Sequence, residues 1–318
     1  MAGYIFYNYN PNMVAAVIFI AIFGLSALMH TYQLIRARTW YFIPFLVGCL
    51  FECIGYVGRA LSSQEAPDFT KNPYIIQSLL LLLAPALLAA SIYMVLGRLI
   101  RLLDANDLSI ISPRWLTLVF VAGDVMSFLA QSAGGGMLAT AKTKSAVKRG
   151  ENIIVGGLGI QIIFFGFFMI VTLVFHLRIN RNPTQKSQEI TTPWRKLLYV
   201  LYTASLFIMV RSVFRVAEYV MGKDSELQSK EYFIYIFDAT LMTLVVVSLN
   251  VFHPSRVINH DKDRKRIVSQ DGYALESQPV GREERDGRYS LSPVRPKHTH
   301  RGIYGEVNYG VGAGRIRD

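Results

Sequence analysis

Seven runs of more than twenty almost uncharged residues follow one another between Met13 and Phe252. A helix rising 1.5 Å per residue needs about 20 apolar residues to cross a hydrocarbon layer of roughly 30 Å, and inside lipid only helices and closed barrels satisfy every backbone polar group. The runs are Met13–Ile35, Tyr41–Leu61, Tyr74–Leu103, Trp115–Ala139, Ile153–His176, Leu197–Val220 and Tyr232–Phe252. Short connections with Asn72-Pro73, Ser112-Pro113, Asn182-Pro183 and Thr192-Pro193 punctuate them. Charged residues make up 17% of the chain, against about 25% in soluble domains. The expected fold is therefore an all-α membrane protein, a bundle of seven transmembrane helices. Pro85 is expected to kink the third span, and Gly134-Gly135-Gly136 to end the fourth or open a break in it.

The parts fall into a short outer amino terminus (1–12), the bundle (13–253) and a tail (254–318) too poor in apolar residues to build a core. Residues 1–12 hold no Lys or Arg, so the basic region of a cleaved signal peptide is missing and the first span is expected to persist. With the amino terminus outside, the inner loops hold ten basic residues and the outer loops seven, and the tail adds thirteen inside. The loop Thr140–Asn152, with four basic residues, dissents from this orientation. The net charge of +11 thus flanks apolar spans, which argues for topology signals and against nucleic acid. Arg256, Lys262, Arg264, Lys265 and Arg266 would meet anionic lipid head groups beside the last span. Cys49 and Cys53 share one helical face and read as small buried hydrophobes.

Within the spans lie Glu52, Arg59, Asp124, Arg211, Arg215, Glu218 and Asp238. Each ionisable group at a helix centre costs about 2.5–3.5 kcal/mol on insertion scales, so all seven must face one another or water. Glu52 and Arg59 are seven apart on one face of the second span, and Arg211, Arg215 and Glu218 share a stripe of the sixth. Glu52 and Asp124 fall near mid-membrane and the others toward the outer surface, with Gln131 and the glycine triplet in the same half. Two arrangements fit: an internal salt-bridge network that fixes packing, or a solvated cavity opening outward. Four carboxylates against three guanidiniums would suit a cationic head group.

The same positions carry a family resemblance. Glu52-Cys53-Ile54-Gly55-Tyr56-Val57-Gly58-Arg59, the stretch Leu83 to Met94 around Pro85, and Asp124 to Gln131 with its glycine triplet form the first part. Arg211 to Glu218, Phe237-Asp238 and Asn250-Val251-Phe252-His253-Pro254 complete it. Together they resemble the RTA-like proteins, the fungal lipid-translocating exporters. The resemblance implies a seven-helix protein of the plasma membrane or an endomembrane, moving amphiphiles such as sphingoid long-chain bases, toxic lipophiles or tetrapyrroles. It also implies that Glu52, Arg59, Asp124, Gln131, Arg211, Arg215, Glu218 and Asp238 line the substrate site. Asp124 and Glu52 would bind a lipid amine while the three arginines keep them ionised.

No cofactor is expected, and no phosphate-binding glycine loop is present. A transporter is expected rather than an enzyme. A seven-helix receptor remains an alternative, although span seven lacks an Asn-Pro-x-x-Tyr pattern and, against a retinal protein, any lysine. A regulator of lipid asymmetry is equally compatible. A zinc lipid hydrolase would use His30, His176 and His253, all near inner helix ends, but no span pairs histidines four apart. No repeat relates the two halves, so an inverted-repeat design has no support.

Overall fold

The computed structural model describes residues 11–65, 70–141, 143–221, 227 and 230–259. Seven helices in it are long and apolar enough to cross a membrane. They are α1 (Met13–Ala37), α2 (Ile43–Gln64), α3 (Lys71–Leu102), α4 (Pro113–Thr140), α5 (Lys144–Arg181), α7 (Trp194–Met221) and α8. The last runs as Tyr232–Ile234, a π-helical segment Tyr235–Thr240, and Leu241–Val251. Short helices α6 (Gln185–Glu189) and α9 (Ser255–Ile258) lie outside the spans, and no strand occurs among the described residues. The chain is an integral, multi-pass membrane protein. Helices α1, α3, α5 and α8 begin at one face, termed here the amino-terminal face.

Two helix pairs are sealed by glycines. Between α2 and α3, a methyl group at Gly48 would lie 3.1 Å from the Ala84 carbonyl oxygen, and one at Gly58 3.2 Å from that of Pro73. Between α4 and α5, a methyl at Gly134 would sit 2.7 Å from the Gly150 carbonyl oxygen, and one at Gly157 3.0 Å from that of Ser127. Small residues let backbones approach where lipid offers no hydrophobic drive. Helices α3 and α4 meet closely at the other face, where Gly97 packs on the Pro113 carbonyl.

Two local expectations change. The glycine triplet neither ends nor breaks α4, which continues to Thr140 because contact with α5 compensates its poor helix propensity. Helix α5 starts at Lys144, nine residues earlier than its apolar run. Thr143 caps it by accepting the Ala146 N–H at 3.2 Å, and Gly150 packs on α4. Most of the expected basic loop is thus helix.

Helices α1 and α8 are stitched by side chains at the opposite end. Gln33 Nε2 donates to the Asn250 carbonyl at 2.9 Å, and Asn259 Nδ2 donates to the orphan carbonyl of Ala37 at 2.5 Å. Val257 and Ile258 are buried, so the folded body reaches past Pro254 into α9. The basic tail from His260 onward lies outside the described residues.

Candidate functional site

Buried ion pairs join α2, α7 and α8 in the half near the amino-terminal face. Arg211 Nε and Arg215 Nη2 donate to different oxygens of Asp238, the acidic residue of the π segment. Arg215 Nη1 also donates to Glu218 Oε2 at 3.0 Å, one turn along α7. Arg211 Nη2 reaches α3, where it donates to the Leu81 carbonyl at 2.7 Å. The π turn inserts one extra residue into α8, and Thr240 Oγ1 braces it by donating to the Tyr235 carbonyl at 2.8 Å.

A second node closes the bundle toward the amino-terminal face. Glu231 accepts from Arg59 Nη2 at 2.7 Å, from the Tyr235 hydroxyl at 3.0 Å and from the Asn12 backbone N–H at 2.9 Å. Arg59 is 1% exposed and also lies over the Tyr235 ring, 5.1 Å from its centroid. Glu231 ties α1, α2 and α8 together. It escaped sequence reasoning because it precedes the apolar run by one residue. Its one signal is the Glu231-x-x-x-Tyr235 spacing, which puts both groups on one helical face.

The eight residues expected to form the site divide four ways. Arg59, Arg211, Arg215, Glu218 and Asp238 belong to the ion network, whose arginines hold Asp238, Glu218 and Glu231. Glu52 is buried beside it, in the field of Asp238, Arg211 and Arg215, but its Oε1 makes no hydrogen bond. Asp124 stands apart on α4. The Tyr93 hydroxyl faces it in a geometry short of a hydrogen bond, and neither carboxylate oxygen has a partner. Tyr93 itself is walled by Phe120 and Phe168 at ring-centroid distances of 5.4 and 4.5 Å.

Gln131 lines a cavity of about 260 Å³ between α3 and α4. Helix α3 supplies Tyr74, Ile75, Ser78, Leu79 and Leu82, and α4 supplies Gln131, Ser132, Gly135, Gly136 and Leu138. Ile154 of α5 and Tyr219 of α7 close the back. Ile75, Ser78, Leu79 and Gly136 are exposed, so the cavity opens on the flank of the bundle between α3 and α4. Methyl groups at Gly135 and Gly136 would meet nothing within 4 Å, unlike one at Gly134. One glycine of the triplet therefore serves packing and two serve space.

The floor of the cavity is polar without being charged. Gln131 Nε2 donates to Ser127 Oγ at 2.5 Å and to Gln161 Oε1 at 3.4 Å, and Ser127 Oγ donates to the Gly157 carbonyl at 2.8 Å. With the amide nitrogen so held, Gln131 Oε1 is left as a buried acceptor with no donor, and Ser132 Oγ has no partner either. Tyr219 places the cavity next to the ion network, since it follows Glu218 directly on α7.

The histidines do not gather. His30 and His253 rings lie 6.2 Å apart, but His176 packs on Tyr199 and Tyr202 of α7. No group of three or more His, Cys, Asp or Glu able to hold a metal occurs among the described residues.

Comparison with known proteins gives the arrangement a lineage. The family model described as RTA1 like protein matches residues 45–261. The chain belongs to the RTA1-like family. It is 36% identical to Protoporphyrin uptake protein 1 of Saccharomyces cerevisiae over 285 residues, covering 79% of this chain and 92% of the relative. It is 30% identical to the Probable lipid transporter atnI of Emericella nidulans, over 83% of this chain and 71% of that one. The Sphingoid long-chain base transporter RSB1 of Saccharomyces cerevisiae is 26% identical over 77% of this chain and 72% of its own length. No solved structure matches the chain significantly.

Proposed function

We propose that this protein moves amphiphilic lipids across its membrane, taking the head group into the cavity between α3 and α4 while the tail stays in hydrocarbon. The observation that carries this reading is the side-opening cavity whose floor presents Gln131 Oε1 and Ser132 Oγ without partners. A buried polar atom left unmatched is unfavourable by about 1–3 kcal/mol. A guest with donor groups, an amine or a hydroxyl, removes that penalty. Sphingoid long-chain bases carry both.

The ion network behind Tyr219 supplies the field. Among the described residues, the carboxylates of Glu52, Glu218, Glu231 and Asp238 face the guanidiniums of Arg59, Arg211 and Arg215, a setting rich in carboxylates that favours an ammonium over an anionic head group. Asp124, whose two oxygens lack hydrogen-bond donors, and Glu52, whose Oε1 lacks one, are the carboxylates able to take up an amine that passes further in. The same reading places the protein in the plasma membrane, amino terminus outside, with the basic tail against anionic cytosolic lipids. Names of relatives support transport of lipid-like molecules as the family theme.

The test is a transbilayer assay with the purified full chain in liposomes. A fluorescent long-chain base is followed beside a fluorescent phosphatidylcholine, with a membrane-impermeant quencher reporting the outer leaflet. The base is expected to equilibrate faster than in protein-free vesicles, and Gly135→Leu, which fills the cavity, to slow it. If both lipids behave as in empty vesicles, the transport reading fails. If Gly135→Leu moves the base as fast as the parent, the cavity is not the route.

A further inference from the structure

Pro85 interrupts α3 near its middle, and the carbonyl it orphans is not left to lipid. In a helix the Leu81 carbonyl would accept from the N–H of residue 85, which proline lacks. Arg211 of α7 replaces that donor, with Nη2 at 2.7 Å from the Leu81 oxygen, while its Nε holds Asp238 on α8. One buried guanidinium, 1% exposed, thus bridges the weak point of α3 and the π segment of α8.

What lies before Pro85 matters. That part of α3 carries Tyr74, Ile75, Ser78, Leu79 and Leu82, the whole α3 side of the cavity. The part after Pro85 is pinned to α4, where Gly97 meets the Pro113 carbonyl. Asp238, held by Arg211, is also held by Arg215, whose other arm reaches Glu218 beside Tyr219 at the cavity's back. Contact at the back wall and grip on the front wall therefore share one carboxylate.

The geometry points to Arg211 as a positioning residue for the cavity: its hydrogen bond to the Leu81 carbonyl sets the angle of α3 at Pro85 and hence the width of the α3/α4 opening. This deepens the transport reading, on which its purpose rests, by naming the element that moves. The segment before Pro85 is seated on α2 at Gly48 and Gly58 and so moves together with α2. A change of about 20° at a proline kink, acting over about nine residues of roughly 1.5 Å each, displaces Ile76 by about 5 Å.

Spin labels read this directly in the full chain in liposomes. Ile76→Cys and Met137→Cys, both exposed and outside the cavity lining, carry labels in a background with Cys49→Ala and Cys53→Ala. A second pair, Arg101→Cys and Trp115→Cys, reports the closed end. Arg211→Gln is expected to broaden the first distance distribution and shift it by about 5 Å, leaving the second in place. Pro85→Ala, which returns a backbone donor to the Leu81 carbonyl and keeps every charge, is expected to shift the first distance too. If Arg211→Gln does not fold, Pro85→Ala decides alone. Unchanged first distances, or an equal shift in the control pair, overturn the proposal. Lipid movement on the same vesicles separates the two readings. Shifted distances without lipid movement keep the role of Arg211 and remove transport, and lipid movement with unchanged distances does the reverse.

Discussion

Gly134→Ala and Gly135→Ala are adjacent one-methyl changes whose effects are expected to differ in sign or nearly so. At Gly134 the methyl carbon would lie 2.7 Å from both the Gly150 carbonyl oxygen and Ile154 Cγ1, and 3.0 Å from the Ile154 nitrogen. Two of those atoms are backbone and cannot rotate away, so α4 and α5 must part. Overpacking of this kind is destabilising by about 1–3 kcal/mol, set against a gain of about 0.5–1 kcal/mol from replacing glycine inside a helix. At Gly135 nothing lies within 4 Å, so only the gain remains. The helix term is common to both, and the difference between the variants is the clash alone. At 1.4 kcal/mol per tenfold, that is about 5- to 150-fold in the unfolding equilibrium. Unfolding of the purified protein by increasing SDS in mixed micelles, followed by tryptophan fluorescence, measures it. Equal destabilisation by both changes, or a larger loss from Gly135→Ala, would mean that the triplet packs uniformly and that the cavity beside it is filled.

Other outcomes follow from the same contacts. Asp238→Asn removes the buried carboxylate shared by the buried Arg211 and the partly buried Arg215, and breaking a buried pair is destabilising by about 3–5 kcal/mol; a drop in detergent-stable yield, partly restored in Asp238→Glu, is the measurement. Gln131→Leu deletes the unmatched acceptor of the cavity floor, so discrimination between a long-chain base and an analogue without donor groups should fall by about tenfold, read from competition in the liposome assay. Asp124→Asn keeps the shape and forfeits no hydrogen bond, so surface level and unfolding midpoint should stay near the parent while efflux of amine-bearing lipid from cells declines; unchanged efflux would remove Asp124 from the route.

The spans were legible because hydrophobic length is a local property, and so was the need of the charged residues for burial against other groups, because a charge left facing lipid is too unfavourable to occur without purpose. Partners were not legible. A spacing of seven suggests Glu52 for Arg59, yet Arg59 closes on Glu231, which sits beyond the end of an apolar run and 172 residues away. The extension of α5 was hidden for a similar reason: Lys144 to Asn152 look like a loop until Gly150 meets Gly134 across the helix pair. Ser132, Tyr74 and Tyr219 gave no warning at all. Uncharged polar side chains are tolerated on many membrane helices, so nothing in their identity marks them as cavity lining. The mid-helix proline was plain from the sequence, but the donor that meets its orphan carbonyl comes from a helix more than a hundred residues later.

Helices α3 and α4 touch at one end and part at the other, so the cleft between them is a wedge. On the transport reading a wedge of this kind has sidedness built in: molecules diffusing in the monolayer at its wide end would meet a doorway, and those in the opposite monolayer a wall. In vesicles where the protein inserts both ways round, each copy would draw only from the sheet its wide end faces.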